Sequence, residues 1–330
     1  MSASSPPPSL SSSASRPPRA PRRRPFGRGE GLFRLAGLIA TGLLLGAFAL
    51  VAIVLLDEAR SEPIAGALSS EWSPNRGRFG LTPLVLGTVV SSGLGLALAA
   101  PLAILGAVWV VDLAPHRLRR RALPVIQIVA AVPSVVFGLW GRSVVVPSVR
   151  SGLAAIGVDA AHGFGLLASG LVLAAMALPT IMSLSCAVLC AIPASLRETA
   201  IALGASRWEA VRHVVMPAAR TGIAGAVAVG LSRALGESVA VELVCGSSPV
   251  MPSPRLGQAS TLGAILVDEY AEAIGARHLG ALAQCALVLG VLAVLVDWAG
   301  RRLAARVSDR YEPSGRGRPA ASGGAEGQVA

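Results

Sequence analysis

The chain contains no lysine, so all 29 of its basic residues are arginine. That absence excludes a standard P-loop ATPase, whose G-x-x-x-x-G-K-[ST] loop needs its lysine on the terminal phosphates. Charge of either sign is also scarce, at 14% of 330 residues, and aromatics make up only 4%. The four histidines (His116, His162, His213 and His278) are scattered along the chain. They assemble no ligand set, and neither H-E-x-x-H nor G-x-S-x-G occurs, so a membrane-embedded metalloenzyme or hydrolase has no signature here. What the chain has instead is apolar bulk, with 53% hydrophobic residues and a mean hydropathy of +0.64. Such a composition does not suit a soluble domain and points to an all-α polytopic membrane protein. The formal charge of +11 does not indicate nucleic acid, because the arginines lie between apolar runs and are not gathered on one face.

Residues 1–31 are rich in Ser, Pro and Arg and are expected to be a disordered tail, too long to be the front of a signal peptide. About 20 apolar residues cross a ~30 Å hydrocarbon core, and six segments meet that length: Leu32–Leu56, Leu81–Val111, Pro124–Pro147, Phe164–Leu189, Ile223–Cys245 and Leu279–Trp298. The first is read as an uncleaved anchor. The second is interrupted at Pro101 and the fourth carries Pro179. The third contains VPSVVFGLWG, in which Pro133 and two glycines predict a bent or locally unwound helix. Polar stretches Asp57–Gly80 and Ser247–Gly275 are expected as external loops. The resulting division is a tail (1–31), a first span with its external segment (32–80), a five-helix core (81–300) and a basic, then Gly-rich tail (301–330).

Arginine clusters sort these connections by side. The N-terminal tail, Arg117–Arg121, the loop from Arg197 to Arg220 and the tail from Arg301 all fall on one face of a six-span arrangement. By the positive-inside rule that face, with both termini, is cytoplasmic.

Two places carry chemistry. The first is the inner loop 192–221, IPASLRETAIALGASRWEAVRHVVMPAART, which reads as helix, break, helix. Ser195 and Glu198 have the capping-box spacing. A second helix from Arg207 is expected to stop at Pro217. The second place is span five, where Arg233 sits near mid-membrane when counted from Ile223 and Glu237 lies one turn further on the same small-residue face. A charge at that depth needs a polar surrounding and a partner. Two readings stand: a static ion pair that fixes packing, or a pair lining the route of an anionic solute. Glu242 faces elsewhere and has no assigned role. Cys186 and Cys190, one turn apart, read as small packing residues. Cys245 and Cys285, near the outer ends of spans five and six, are also read first as packing residues, and their spacing leaves a disulfide open.

In the inner loop, Glu198, Ala200, Gly204 and then Val214-x-Met216-Pro217 follow one another at fixed intervals. This resembles the EAA loop of ABC-importer permeases, with Thr199 in place of the first alanine and Val214 and Met216 in place of Ile and Leu. The similarity widens over Arg78–Arg301. The segments RFGLTPLVLGTVVSSGLGLALAAPLAILGAVWVVDLAP, VPSVVFGLWG, LRETAIALGASRWEAVRHVVMPAARTGIAGA and RALGESVAVELVCG are similar, in order, to those of phosphate-import ABC permeases of the PstC type. The resemblance implies the six-helix type I importer (MetI-like) permease fold in the bacterial inner membrane. It also implies a sister permease of the PstA type, two ATPase subunits of the PstB type docked on the loops from Glu198 to Met216, and an extracytoplasmic phosphate-binding protein of the PstS type. ATP would be bound by those ATPase subunits, with no cofactor in this chain. The alternatives are a permease for another oxyanion or small solute, or a secondary transporter, for which no repeated halves are visible.

Overall fold

The long apolar segments are mostly helical, because a helix satisfies its own amides without water, and two of them are interrupted by a break. The computed structural model describes residues 28–157, 163–249, 251 and 257–309. Most of the two expected tails lies outside these residues. The chain divides into two compact units, Met1–Val51 and Ala52–Ala330. The first unit carries most of α1 (Arg28–Ala59), whose residues from Leu32 to Val51 are all exposed and, apart from Arg34 and Thr41, apolar. A helix that is apolar all round is a membrane span.

In the second unit, the outer connection expected as plain loop is built up. A short helix α2 (Ile64–Ala67) precedes the antiparallel strands β1 (Trp72–Ser73) and β2 (Arg78–Phe79), with Trp72 opposite Phe79. Both aromatics are buried and meet edge to face at 5.5 Å. Two-residue strands are too short to show a period in sequence.

Next, α3 (Thr82–Val108) runs through Pro101 and ends in a π-helical turn at Trp109–Leu113. Span three is a broken pair. Helix α4 (His116–Ala130) stops before Pro133, and the chain turns 88° into α5 (Ser134–Trp140) and α6 (Val146–Ala155), themselves joined by a π turn. The expected bend at VPSVVFGLWG is therefore a full break, set by Pro133 and by the extended bias that proline imposes on the residue before it. Span four is α7 (Leu166–Ala191), and the inner loop holds α8 (Ala194–Ala202) and α9 (Arg207–Ala210). A π turn at Val211–Val215 leads directly into α10 (Met216–Leu235), and after a break comes α11 (Val239–Cys245). The last elements are α12 (Leu262–Glu269) and α13 (Ala276–Asp309). Among the described residues five helices are long and apolar enough to cross a membrane, and the bent pair makes six when counted as one crossing.

The centre of this unit is α3 lying along α7, closed by small residues: Ala99, Ala103 and Ala177 are fully buried, and Gly95 faces Leu173. Small residues let membrane helices approach closely, since no hydrophobic effect pulls them together in lipid. Helix α10 packs on α7 and α13. The stretch 247–275, expected as an external loop, is partly packed into the protein, since Ala259–Ile265 is buried. The Leu262 amide donates to Thr88 Oγ1 at 2.9 Å, and the Ser260 carbonyl sits where a Cβ on Gly87 of α3 would be. All four cysteines are free thiols; Cys245 packs with Leu173 and Ala264, and Cys285 packs with Leu84 and Leu282 in a separate cluster.

Gly87 and Gly93 provide a paired test on one helix. A Cβ at Gly87 would come within 2.1 Å of the Ser260 carbonyl, whereas one at Gly93 meets nothing within 4 Å. Gly87→Ala is expected to destabilise by about 1–3 kcal/mol through the forced shift, and Gly93→Ala to be neutral or to stabilise by up to about 1 kcal/mol. Thermal unfolding of the two detergent-solubilised variants measures the difference, and equal midpoints would contradict the packing described.

Candidate functional site

The inner loop begins where α7 ends. Ile192 is extended (φ −71°, ψ 128°) and Pro193 starts α8 from an extended conformation with no side-chain cap. Proline fixes its own φ and biases the residue before it away from helix, so Ser195 falls inside the first turn. The expected Ser195–Glu198 box is not formed. The capping box belongs to α9 instead: Ser206 Oγ accepts from the Glu209 amide at 3.3 Å, and Glu209 Oε2 accepts from the Ser206 amide at 2.8 Å.

Of the expected docking residues, Glu198 is exposed and Ala200 is buried under α8. Gly204 ends the helix at φ 92°, with its amide on the Ile201 carbonyl and the Ala205 amide on the Ala200 carbonyl. This left-handed position favours glycine for backbone reasons alone, and the space a Cβ would enter is empty out to 4 Å. Beside it stand Leu203 (85% exposed), Trp208 (50%) and Ile201 (48%). Pro217 does not stop the helix. It occupies the first turn of α10, where a missing amide is tolerated, and the π turn before it absorbs the mismatch at the carbonyl four residues back.

Arg197 was not singled out in the sequence. Its Nε donates to Asp112 Oδ1 at 2.6 Å, its Nη1 to the Ile192 carbonyl at 2.9 Å and its Nη2 to the Leu189 carbonyl at 2.8 Å. One guanidinium thus caps the C-terminus of α7 and ties α8 to the inner end of α3. The only sequence signal was an aspartate at the inner end of an apolar span, and its partner lies 85 residues away.

The second place is the end of α10. The helical span runs from Arg207 to Leu235 and not from Ile223 to Cys245, so Arg233 lies in its last turn rather than at its middle. The helix then breaks at Gly236–Ser238, which removes the shared face assumed for Arg233 and Glu237. No ion pair among the described residues involves either one. Glu237 Oε1 instead accepts from the Ala240 amide at 3.1 Å, holding an orphan donor at the start of α11. Arg233, half-buried, stands where a cation suits the helix dipole. Around the break, Ser92 Oγ of α3 donates to the Ala234 carbonyl at 3.4 Å, and Gly263 of α12 lets its backbone approach Glu237 and Ser238. Ser232 Oγ and Ser260 Oγ are buried with no partner among the described residues. Glu242 takes Ser247 Oγ on one oxygen, and its other oxygen is buried without a partner among the described residues. The two groups of residues therefore form separate places: Glu198, Ala200 and Gly204 on α8 and its terminal turn, and Arg233 and Glu237 about 25 Å of helix beyond Met216.

Ser206→Ala is expected to lose about 1 kcal/mol of helix stability at neutral pH. Hydrogen exchange at the Glu209 amide reads this directly, and unchanged protection in the variant would count against the cap.

Residues 99–309 match the family described as binding-protein-dependent transport system inner membrane component. A phosphate transport system permease protein PstC of Mesorhizobium japonicum is 32% identical over 256 residues, covering 73% of this chain and 78% of that protein. PstC 1 of Mycobacterium bovis is 36% identical over 257 residues, covering 72% and 76%. Among solved structures, a bacterial alginate ABC transporter in complex with an alginate-bound periplasmic protein superposes with a TM-score of 0.61 at 17% identity, over 85% of this chain and 96% of that one. The inward-facing MetNI methionine ABC transporter gives 0.52 at 23% identity, over 72% and 99%. Likeness at such identities speaks for the fold alone. With its all-α spans, its inner helix-break-helix loop and the match over most of its length, the chain belongs to the family of inner-membrane permease components of binding-protein-dependent transport systems.

Proposed function

We propose that the chain is a membrane-spanning subunit of an ATP-driven importer of inorganic phosphate. The observation that carries this reading is the similarity, over about three quarters of the chain, to proteins named phosphate transport system permease PstC. In this reading it pairs with a PstA-like sister permease. Two PstB-like ATPase subunits bind ATP and dock on the inner loops, and a PstS-like binding protein delivers phosphate from outside. The arginine-rich connections face the cytoplasm with both termini, as the positive-inside rule requires.

The docking surface is the outward side of α8 and its terminal turn. Glu198 offers a charge, Leu203, Ile201 and Trp208 offer apolar area, and Gly204 leaves the backbone open to a partner. Because Gly204 is also strained for any other residue by its φ, two variants separate the effects. Gly204→Ala disturbs only the backbone, while Gly204→Trp also fills the empty space. In assembled complexes Gly204→Trp is expected to uncouple ATP hydrolysis from phosphate uptake far more than Gly204→Ala does. Wild-type coupling in Gly204→Trp would remove the docking assignment.

Arg233 is proposed to meet the passing anion, because a guanidinium fork matches a tetrahedral oxyanion. Glu237 acts beside it by holding the start of α11. Arg233→Gln is expected to reduce phosphate uptake per assembled complex by about tenfold or more, in line with the loss of one charged contact. Glu237→Gln should do less, since its amide oxygen still accepts from Ala240. An Arg233→Gln complex that transports at the wild-type rate would exclude Arg233 from the route. Competition of uptake by sulfate and by phosphate separates this reading from a permease for another oxyanion.

A further inference from the structure

Two arginines from neighbouring elements stitch together the inner ends of α3 and α7. Arg119 of α4 donates to the Val111 carbonyl at 3.2 Å and contacts Cys190 Sγ at 3.2 Å. Arg197 of α8 takes the Asp112 carboxylate together with two carbonyls from the end of α7. The Asp112 side chain is 3% exposed and that of Arg197 is 23% exposed. Asp112 Oδ2 has no hydrogen-bond partner among the described residues, so Arg197 is the group that compensates this buried carboxylate. Separating the two would leave a buried charge unpaired, which is strongly unfavourable. The pair therefore holds α8 to the end of α3.

The covalent link from α7 to α8 is the extended stretch at Ile192 and Pro193. A link of that kind transmits a pull but does not define an orientation. Three charge-assisted bonds from one planar guanidinium do define one, and they fix α8 to α3 as well as to α7.

The middle of α3, at Ser92, meets the break in span five. Ser92 Oγ bonds the Ala234 carbonyl immediately before the break. One turn further out, Thr88 Oγ1 accepts from the Leu262 amide at the start of α12, whose Gly263 lies against Glu237 and Ser238. Between Ser92 and Asp112 lie about 30 Å of helix, stiffened along α7 by the buried Ala99 and Ala103.

We propose that the Arg197–Asp112 pair makes α3 the rod through which the coupling loop acts on the break at Gly236–Ser238. Arg197 and Asp112 are positioning residues for transport and contact neither substrate nor ATP. The inference rests on the docking of the ATPase at α8. The competing route is α7 alone, which is joined covalently to α8 and also packs on α10; if α7 sufficed, breaking the pair would leave coupling untouched.

The test uses the complete complex in proteoliposomes, with three variants of this chain. Asp112→Ala breaks the joint. Asp112→Leu with Arg197→Met replaces the pair by apolar groups of similar volume, a change that buried pairs often tolerate without loss of stability. Asp112→Asn removes the charge but keeps an acceptor. Phosphate taken up per ATP hydrolysed is expected to fall by about tenfold in the first two, a coupling loss within the range known for networks of this kind, and by less in Asp112→Asn, with ATP hydrolysis retained. A second readout is independent of the solute. A cysteine at Ser238, in a background without the four native cysteines, is labelled with and without trapped ATP. Its labelling rate should respond to ATP in the otherwise wild-type chain and not in the first two variants. A wild-type ATP response without phosphate uptake would overturn the phosphate reading and leave the joint standing. Uptake per ATP within about twofold of wild type in either joint-breaking variant, or an intact ATP response at Ser238, would overturn the proposal. So would failure of all three variants to assemble, which would make the pair a folding element.

Discussion

Inside a bilayer a backbone amide or carbonyl without a partner has no water to turn to, and this constraint shapes nearly every feature of the chain. Long helices meet it without help. Each place where a helix must stop, bend or restart at depth needs a specific group to take over. The Arg197 guanidinium takes two carbonyls at the end of α7, the Glu237 carboxylate takes an amide at the start of α11, and Ser92 takes a carbonyl at the end of α10.

Charge in this protein is accordingly spent on backbone ends as much as on other charges. Arg233 and Glu237 illustrate the difference. As residues one turn apart on an unbroken helix they would neutralise each other. With the helix broken between them, the carboxylate serves α11 and the arginine sits at the terminus of α10, where the dipole of the helix favours a cation. Such a break gives the span two halves that can change their relation without unfolding either.

Proline has a similar double use. Pro101 and Pro179 are absorbed within long helices, whereas Pro133 ends one and Pro217 sits just past a π turn that makes room for it. The outer surface is organised by different means. Trp72 donates to Glu269, His278 bonds the same carboxylate, and Phe79 stacks on His278, so the hairpin, α12 and α13 share one cluster. That cluster packs with Leu262 and Ile265, so it anchors the start of α12, whose Gly263 lies against the break.

The spans and the helix-break-helix loop were legible in the sequence because each depends on local composition, namely apolar length and the positions of Gly and Pro. The spacing from Glu198 to Pro217 was legible for the same reason, since one short stretch carries it. Partnerships over long separations were not. Arg197 with Asp112, Leu262 with Thr88 and Trp72 with Glu269 are pairs whose members say nothing about each other in sequence. The broken span five was hidden as well, because Gly236 and Ser238 are ordinary small residues of a membrane helix, and only packing against α3 and α12 supplies the groups that make an open backbone tolerable there. Sequence by itself determined that the chain has helices long and apolar enough to span the membrane, because apolar length is a local property. Tertiary structure decided which charges meet, because burial and hydrogen bonding across helices, and not helical spacing, select the partner of each polar group.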